Sequence, residues 1–330
     1  SRSSPFKSIA SARKLDIETM KRAFILTLLL IATAPADTFK SAKNDMAATV
    51  RLLPDIAYAD TQNPRQTLDL LLPKNPNANQ LPIIVFIHGG AWRAGHKKGG
   101  QAQLKRFVST GDYAGVTVGY RLSQEAIWPA QIHDCKAAIR WIRAHAEDYG
   151  LEATKIAVWG ISAGGHLVSM LGTSAGIEEL EGSLGRHLDQ RSSVSCVANY
   201  FGPSQLLTMD DHPSDIVHNA ADSPESQLIG AAIQDHKDMA KRASPISYVT
   251  ADDAPFLHVH GDQDNLVPYP QSVALDAKGV SSRLITMAKK KHGRFANPKL
   301  DQLLADFFAH HLLDKPANIE EQVLQPVSSN

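Results

Sequence analysis

Beyond residue 37 the chain alternates between short apolar runs of strand length and longer amphipathic stretches of helical period. That alternation predicts an α/β protein, with a mainly parallel central sheet covered by helices on both faces. Residues 56–59 and 66–72, separated by the turn-rich Asp60-Thr61-Gln62-Asn63-Pro64, predict an opening hairpin. Residues 83–87 (IIVFI) form a continuous apolar run ending at Gly89-Gly90, as a strand buried on both faces would. A helix over 101–109, a strand over 115–120 and a helix over 129–147 follow. The last has Pro129 near its first turn and gathers Ile132, Cys135, Ala138, Ile139 and Ile142 on one face. The strand at 155–159 passes into a helix at 163–171 with almost no loop between them. After the sixth strand, at 194–200, residues 203–248 are richer in Asp, Ser and Pro and predict a cap-like excursion over the top of the sheet. Strand 256–260, helix 271–278, strand 283–287 and helix 299–312 complete the pattern.

The N-terminal region changes the domain plan. Met20 is followed by Lys21 and Arg22, an apolar run over 23–32 and the small-residue pattern Ala34-Pro35-Ala36. This order of charge, apolar run and cleavage pattern predicts a signal peptide over 20–36, preceded by an upstream extension over 1–19. An N-terminal helix packed on the domain is the alternative. The run is about half the roughly 20 residues of a spanning helix, so stable membrane insertion is not expected. The expectation is a secreted or periplasmic protein, with one α/β domain over 37–315 and a flexible tail over 316–330.

Composition adds exclusions. Lys plus Arg and Asp plus Glu stand at 34 each, leaving no net field to recruit nucleic acid. A hydrophobic share of 43% is enough to build a large core. The two cysteines, Cys135 and Cys196, fit either one bridge or two buried thiols, and neither lies in a zinc-type cluster. No metal and no cofactor is expected.

Candidate chemistry sits at strand ends. Gly160-Ile161-Ser162-Ala163-Gly164 matches G-x-S-x-G, with an apolar strand before it and a helix directly after, which is the context of a nucleophile elbow. A serine hydroxyl is a weak nucleophile unless a base takes its proton and a third group orients that base. Asp264, beyond the strand 256–260, and His292, beyond the strand 283–287, supply these types in the order Ser, acid, His found in α/β-hydrolases. Asp262 is the rival acid; it sits closer to the strand end and reads as a turn residue. A tetrahedral oxyanion needs preorganised donors, each contributing about 3–4 kcal/mol. His88-Gly89-Gly90-Ala91-Trp92 resembles an HGGG-type loop offering the N–H groups of Gly89 and Gly90, with that of Ala163 as the other donor. His88 is expected to brace this loop, and Trp92 either walls a substrate pocket or packs.

Taken together, HGGAWRAGHK (88–97), VWGISAGGHL (158–167), YFGPSQLL (200–207), SPESQLIG (223–230), the run 242–272 and KHG (291–293) resemble the bifunctional feruloyl and acetyl-xylan esterase (BD-FAE) group of α/β-hydrolases, over roughly residues 50 to 312. The resemblance implies the α/β-hydrolase fold and a metal-free carboxylic ester hydrolase acting on acetyl or aryl esters, such as those on polysaccharides. It also implies a triad of Ser162, Asp264 and His292. Lys289-Lys290-Lys291 before His292 departs from the small residues more usual there, and changes the charge at the rim. A peptidase of the prolyl-oligopeptidase type ranks second, because few residues precede the hydrolase pattern and none would build a propeller. A catalytically retired binding protein ranks third.

Overall fold

The structure is a computed structural model and describes residues 48–278 and 281–326. The expected upstream extension and signal peptide lie outside the described residues. Among the described residues, nine strands form one sheet in the order β1-β2-β4-β3-β5-β6-β7-β8-β9. They are β1 Val50–Ala57, β2 Thr67–Pro73, β3 Leu81–Ile87, β4 Ala114–Val118, β5 Leu151–Ile161, β6 Cys196–Tyr200, β7 Phe256–Gly261, β8 Ser282–Met287 and β9 Gln322–Leu324. β2 runs antiparallel to both neighbours, and every pairing from β4 to β9 is parallel.

A parallel strand covered on both faces must be apolar at every position, and β3 is buried throughout. Alternate side chains then divide between two layers. Phe86 and Trp159 point to one face, where rings of Phe107 on α1 (Gln101–Val108) and Phe308 near the chain end pack around Trp159. Val85, Ile87 and Val158 join the opposite cluster, with Ile139 of α2 (Ala130–Ala144) and Leu167 and Val168 of α3 (Ala163–Thr173). The closing helix α4 (Pro298–Leu313) starts on Asn297, whose side chain accepts from the N–H groups of Lys299 (3.0 Å) and Leu300 (3.2 Å), with Pro298 in the first turn. This is the α/β-hydrolase fold expected from the sequence. β4 and β5 lie on opposite sides of β3, so the chain leaves β3 in one direction and β5 in the other. A crevice opens at the C-terminal ends of that pair.

Two edges differ from the sequence reading. β1 begins at Val50, six residues before the expected hairpin strand, and tolerates Pro54 because an edge strand can spare a donor. A bulge between Leu53 and Ile56 puts Asp55 at φ 57°, and its N–H reaches Asp69 Oδ1 at 2.9 Å. At the other edge, part of the segment expected as a flexible tail from 316 is β9. It pairs in parallel with β8 through Ile285, Thr286 and Met287, and Ala288 N donates to Leu324 O at 2.9 Å. The outer edge of β8 offers unpaired backbone groups, and the three residues of β9 cover its C-terminal half.

The excursion after β6 carries the short helices Pro224–Ile229 and Lys237–Arg242. Leu206, Met209, Leu228, Ile229, Ile233 and Ala240 are fully buried beneath it. Polar bonds join it to the sheet layer: Trp128 N to Leu228 O (2.8 Å), and Ser204 N and Gln205 N to Gln271 Oε1 (2.9 and 2.8 Å). It is a fixed wall. Cys135 on α2 and Cys196 on β6 are separate buried thiols, and burial raises both above the ordinary thiol range. No helix among the described residues is long and apolar enough to cross a membrane.

Among the described residues, one of the buried ion pairs centres on Lys97. Lys97, almost wholly enclosed, contacts Asp69 and, at 2.5 Å, Asp55, while Gln101 Nε2 donates to Asp69 Oδ2 at 2.7 Å. Removing one partner of a buried pair leaves the other charge uncompensated. Lys97→Met is therefore expected to lower unfolding stability by about 3–5 kcal/mol, read from the urea midpoint at an unchanged slope. Adding Asp69→Asn should recover part of that loss.

Candidate active site

β5 ends at Ile161, and α3 starts one residue after Ser162, so a reversal of direction is compressed into a single residue. Ser162 adopts φ 53° and ψ −122°, a conformation rare outside glycine. Its N–H is held by Tyr200 O at 2.9 Å and its carbonyl by His166 N at 3.0 Å. Space explains the glycines around it. A Cβ at Gly160 would strike the Gly164 carbonyl, and one at Gly164 the Ile87 carbonyl. One at Gly165 would sit 2.6 Å from Asn199 Oδ1 and 2.8 Å from Tyr200 O.

The loop after β3 closes on this turn from the other side of the crevice. A Cβ at Gly89 would fall 2.7 Å from Ile161 O and 3.2 Å from Ser162 Cβ, so its backbone lies directly beside the serine. Gly90 (φ 117°), Ala91 (53°) and Trp92 (55°) all take positive φ, and Gly90 O accepts from Arg93 N (3.0 Å) and Ala94 N (2.9 Å). Ala163 opens α3 at the same point, where the helix N-terminus favours negative charge. His88 stacks on Tyr120 at 4.4 Å, and its Nδ1 lies 2.7 Å from Gly89 O, an acceptor, so that nitrogen donates. Burial lowers His88 to about 4, which makes it a neutral brace.

Trp92 corrects the substrate-binding expectation. It is 1% exposed, and its Nε1 donates to His166 Nδ1 at 3.2 Å, so it is part of the core beneath the loop. His166 in turn meets Ala243 O through Nε2 at 2.7 Å, and burial lowers it to about 4. This neutral ring thereby joins the β3 loop, α3 and the end of the excursion.

Asp264 and His292 arrive from β7 and β8. Asp264 Oδ1 accepts the N–H groups of Leu266 and Val267, each at 2.9 Å, which aims Oδ2 at His292 Nδ1, 2.7 Å away. His292 Nε2 lies 3.1 Å from Ser162 Oγ. The aspartate has no exposed side-chain surface, the imidazole 13%. Burial acts to raise the Asp264 carboxyl, but the imidazoles of His260 and His292, whose nearest nitrogens lie 3.2 and 2.7 Å from Oδ2, outweigh it and hold the group well below the usual carboxylate range. The rival Asp262 instead accepts from Lys289 N at 2.6 Å in an exposed turn. Phe201, at φ 42°, packs edge-on against His292 with centroids 4.6 Å apart.

The expected residues Ser162, Asp264, His292, Gly89, Gly90 and Ala163 thus meet at one sheet edge, and Trp92 lies below them. His166, Tyr120, Phe201 and His260, which also shape this edge, carried no spacing signal of their own. A cleft of about 370 Å³ lined by Leu72, Pro73, Tyr149 and Gly150 lies at the opposite end of the strands and brings no such groups together. Among the described residues, no cluster of His, Cys, Asp or Glu is placed to hold a metal ion. Hydroxyl, imidazole and carboxylate in series can pass one proton from the serine to the ring and stabilise the charge that results. Because Trp92 supports the loop from below, Trp92→Phe should lower stability by about 1–3 kcal/mol by leaving His166 Nδ1 unpaired, measured by urea denaturation.

Comparison with known proteins places these features in a family. The BD-FAE family model matches residues 68–278. Esterase LipC of Mycobacterium tuberculosis is 30% identical over 244 residues, covering 74% of this chain and 57% of its own length. The chain spans about half the length of the curated relatives it matches. Among solved structures, a truncated form of a carbohydrate esterase from gut microbiota superposes with a TM-score of 0.73 at 33% identity, covering 80% of this chain and 96% of that one. A bifunctional GH43-CE protein of Bacteroides eggerthii gives 0.73 at 34% identity, over 79% of this chain and 35% of its own. With the match to its model running from β2 to the helix before β8, the chain belongs to the BD-FAE family.

Proposed function

We propose that this chain is a serine-dependent carboxylic ester hydrolase. The observation that carries the reading is the continuous line from Ser162 Oγ to His292 Nε2 (3.1 Å) and from His292 Nδ1 to Asp264 Oδ2 (2.7 Å), built on a strained turn. Ser162 Oγ attacks the acyl carbonyl as its proton passes to His292 Nε2. The alcohol leaves with that proton, and the acyl group remains on the serine. Water, deprotonated by the same nitrogen, attacks the acyl-enzyme and releases the acid. Asp264 fixes the ring and stabilises the imidazolium, and the N–H groups of Gly89, Gly90 and Ala163 meet the oxyanion.

The substrate class is acetyl or aryl (feruloyl) esters on polysaccharides, or small short-chain esters. Family membership and the likeness to a carbohydrate esterase from gut microbiota support it. The charge pattern and apolar run at residues 20–36 support export to the periplasm or medium.

Purified protein is expected to hydrolyse p-nitrophenyl acetate faster than the octanoate, and to release acetate from acetylated xylan or ferulate from methyl ferulate. Ser162→Ala should reduce kcat/KM by roughly 10⁴-fold or more and abolish labelling by a fluorophosphonate probe; undiminished turnover in that variant would exclude the mechanism. Export predicts a mature N-terminus near Asp37 in protein recovered from periplasm or medium, and Edman sequencing that reads through the leader would reject it.

A further inference from the structure

His292 hands its proton to the leaving alcohol, so the alcohol half of an ester lies against Nε2 and beside the residues that flank this histidine. Those residues are cationic. Lys289, Lys290 and Lys291 precede His292, and Arg294 follows it by two positions. Lys289, Lys291 and Arg294 are exposed and Lys290 is half-buried; among the described residues none of the four takes part in an ion pair. We propose that this rim selects esters whose alcohol half is anionic, with Lys289, Lys291 and Arg294 as specificity-determining residues. The substrate is then an acylated acidic saccharide, bearing carboxylate or sulfate, in preference to a neutral one. This rests on the ester-hydrolase reading and narrows its substrate class.

Three features distinguish the rim from a loose run of charge. First, the turn is locked against the end of β7. Lys289 takes φ 58° and its N–H reaches Asp262 Oδ1 at 2.6 Å; Lys290 N donates to Met287 O at 3.3 Å, and Lys290 O accepts from Gln263 N at 3.1 Å. A Cβ at Gly261 would strike the Lys290 carbonyl, so strand and turn are in direct contact. Second, there is room beside His292. A Cβ at Gly293, between the histidine and Arg294, would meet no atom within 4 Å. An alcohol larger than its reacting oxygen can pass there. Third, the nearby carboxylates do not cancel the charge. Asp264 is buried against His292, and Asp262 is the exposed carboxylate that touches the run. Farther along the acid turn, Asp215 is bonded to Asn265 Nδ2, and Asp210 accepts the N–H groups of His218 (2.9 Å) and Asn219 (2.7 Å). Across the crevice, Arg93 of the β3 loop adds another cation, with Nη1 3.4 Å from Gln227 Oε1.

Exposed charges act weakly one by one and are screened over about 8–10 Å at physiological salt. Several of one sign at the mouth of a cleft add together and raise the local concentration of an oppositely charged substrate. The effect therefore falls on kcat/KM and on its salt dependence more than on kcat.

The experiment compares three acetate esters that share an acyl group: 4-acetoxybenzoate, 4-acetoxybenzenesulfonate and the neutral 4-acetoxybenzamide. Each is measured with wild type and with the combined variant Lys289→Ser, Lys291→Ser, Arg294→Ser, at about 20 mM and about 500 mM NaCl. With each kcat/KM divided by the ester's own rate with hydroxide, wild type should favour the anions over the amide by roughly 5-fold or more at low salt. High salt and the triple substitution should each bring that ratio close to one. A preference between the two anions separates carboxylate-bearing from sulfate-bearing saccharides. A wild-type ratio near one, or a preference that neither salt nor the substitutions reduce, would overturn the proposal. Calorimetry checks it without turnover: trigalacturonate should bind wild type more tightly than neutral xylotriose, by a margin that salt removes, and equal affinities would count against it. If that preference holds while no ester is hydrolysed and fluorophosphonate does not label, the hydrolase reading falls and anion selection stands.

Discussion

Ser162 sits at a backbone conformation that disfavours every residue with a side chain, at a point where three segments converge within van der Waals distance. Such a conformation costs on the order of 1–3 kcal/mol and persists only when its surroundings over-determine it. Here they do. β5 is hydrogen-bonded to β3 on one side and β6 on the other, so the strand cannot relax, and Tyr200 O captures the serine N–H. The glycines at 89, 160, 164 and 165 let the β3 loop, the strand and the helix crowd together, and any of them enlarged would force the segments apart.

The rest of the upper edge follows from that convergence. With the β3 loop beside the serine, its inner surface must be filled from below, which Trp92 and His166 do through a hydrogen bond and an edge-on ring contact. His166 passes the constraint to Ala243, and the Ser204–Gln271 bonds hold the excursion's first turn to the helix after β7. Parallel strands then deliver Asp264 and His292 to the same height. Placement of each group depends on strand register, and the small contacts at the rim refine it.

What could be read from the sequence was whatever burial or steric exclusion imposes on residue type. β3 is legible because a strand covered on both faces admits only apolar residues, and the elbow because its crowding admits only glycine at 160, 164 and 165. Asp264 and His292 were legible by position after successive strands. β1 before Ile56 was not, since an exposed edge accepts Pro54, Asp55 and Arg51 without any periodic pattern. β9 is three residues long, too short for periodicity to register. Trp92 was ambiguous because the same indole can line a pocket or fill a core, and only the location of a hydrogen-bond acceptor, His166, decides. His260 lay in a motif read for its acid; that its ring reaches back to that acid depends on the 264–267 turn, which no spacing rule encodes.

The separate burial of Cys135 and Cys196 bears on how the chain can be handled. Neither thiol reaches the surface, and burial keeps both protonated, so neither offers the thiolate that exchange or oxidation requires. Cohesion of the described domain comes from packing and hydrogen bonds without a covalent staple. The described fold therefore does not depend on a disulfide, and an oxidising compartment is not required to hold it together.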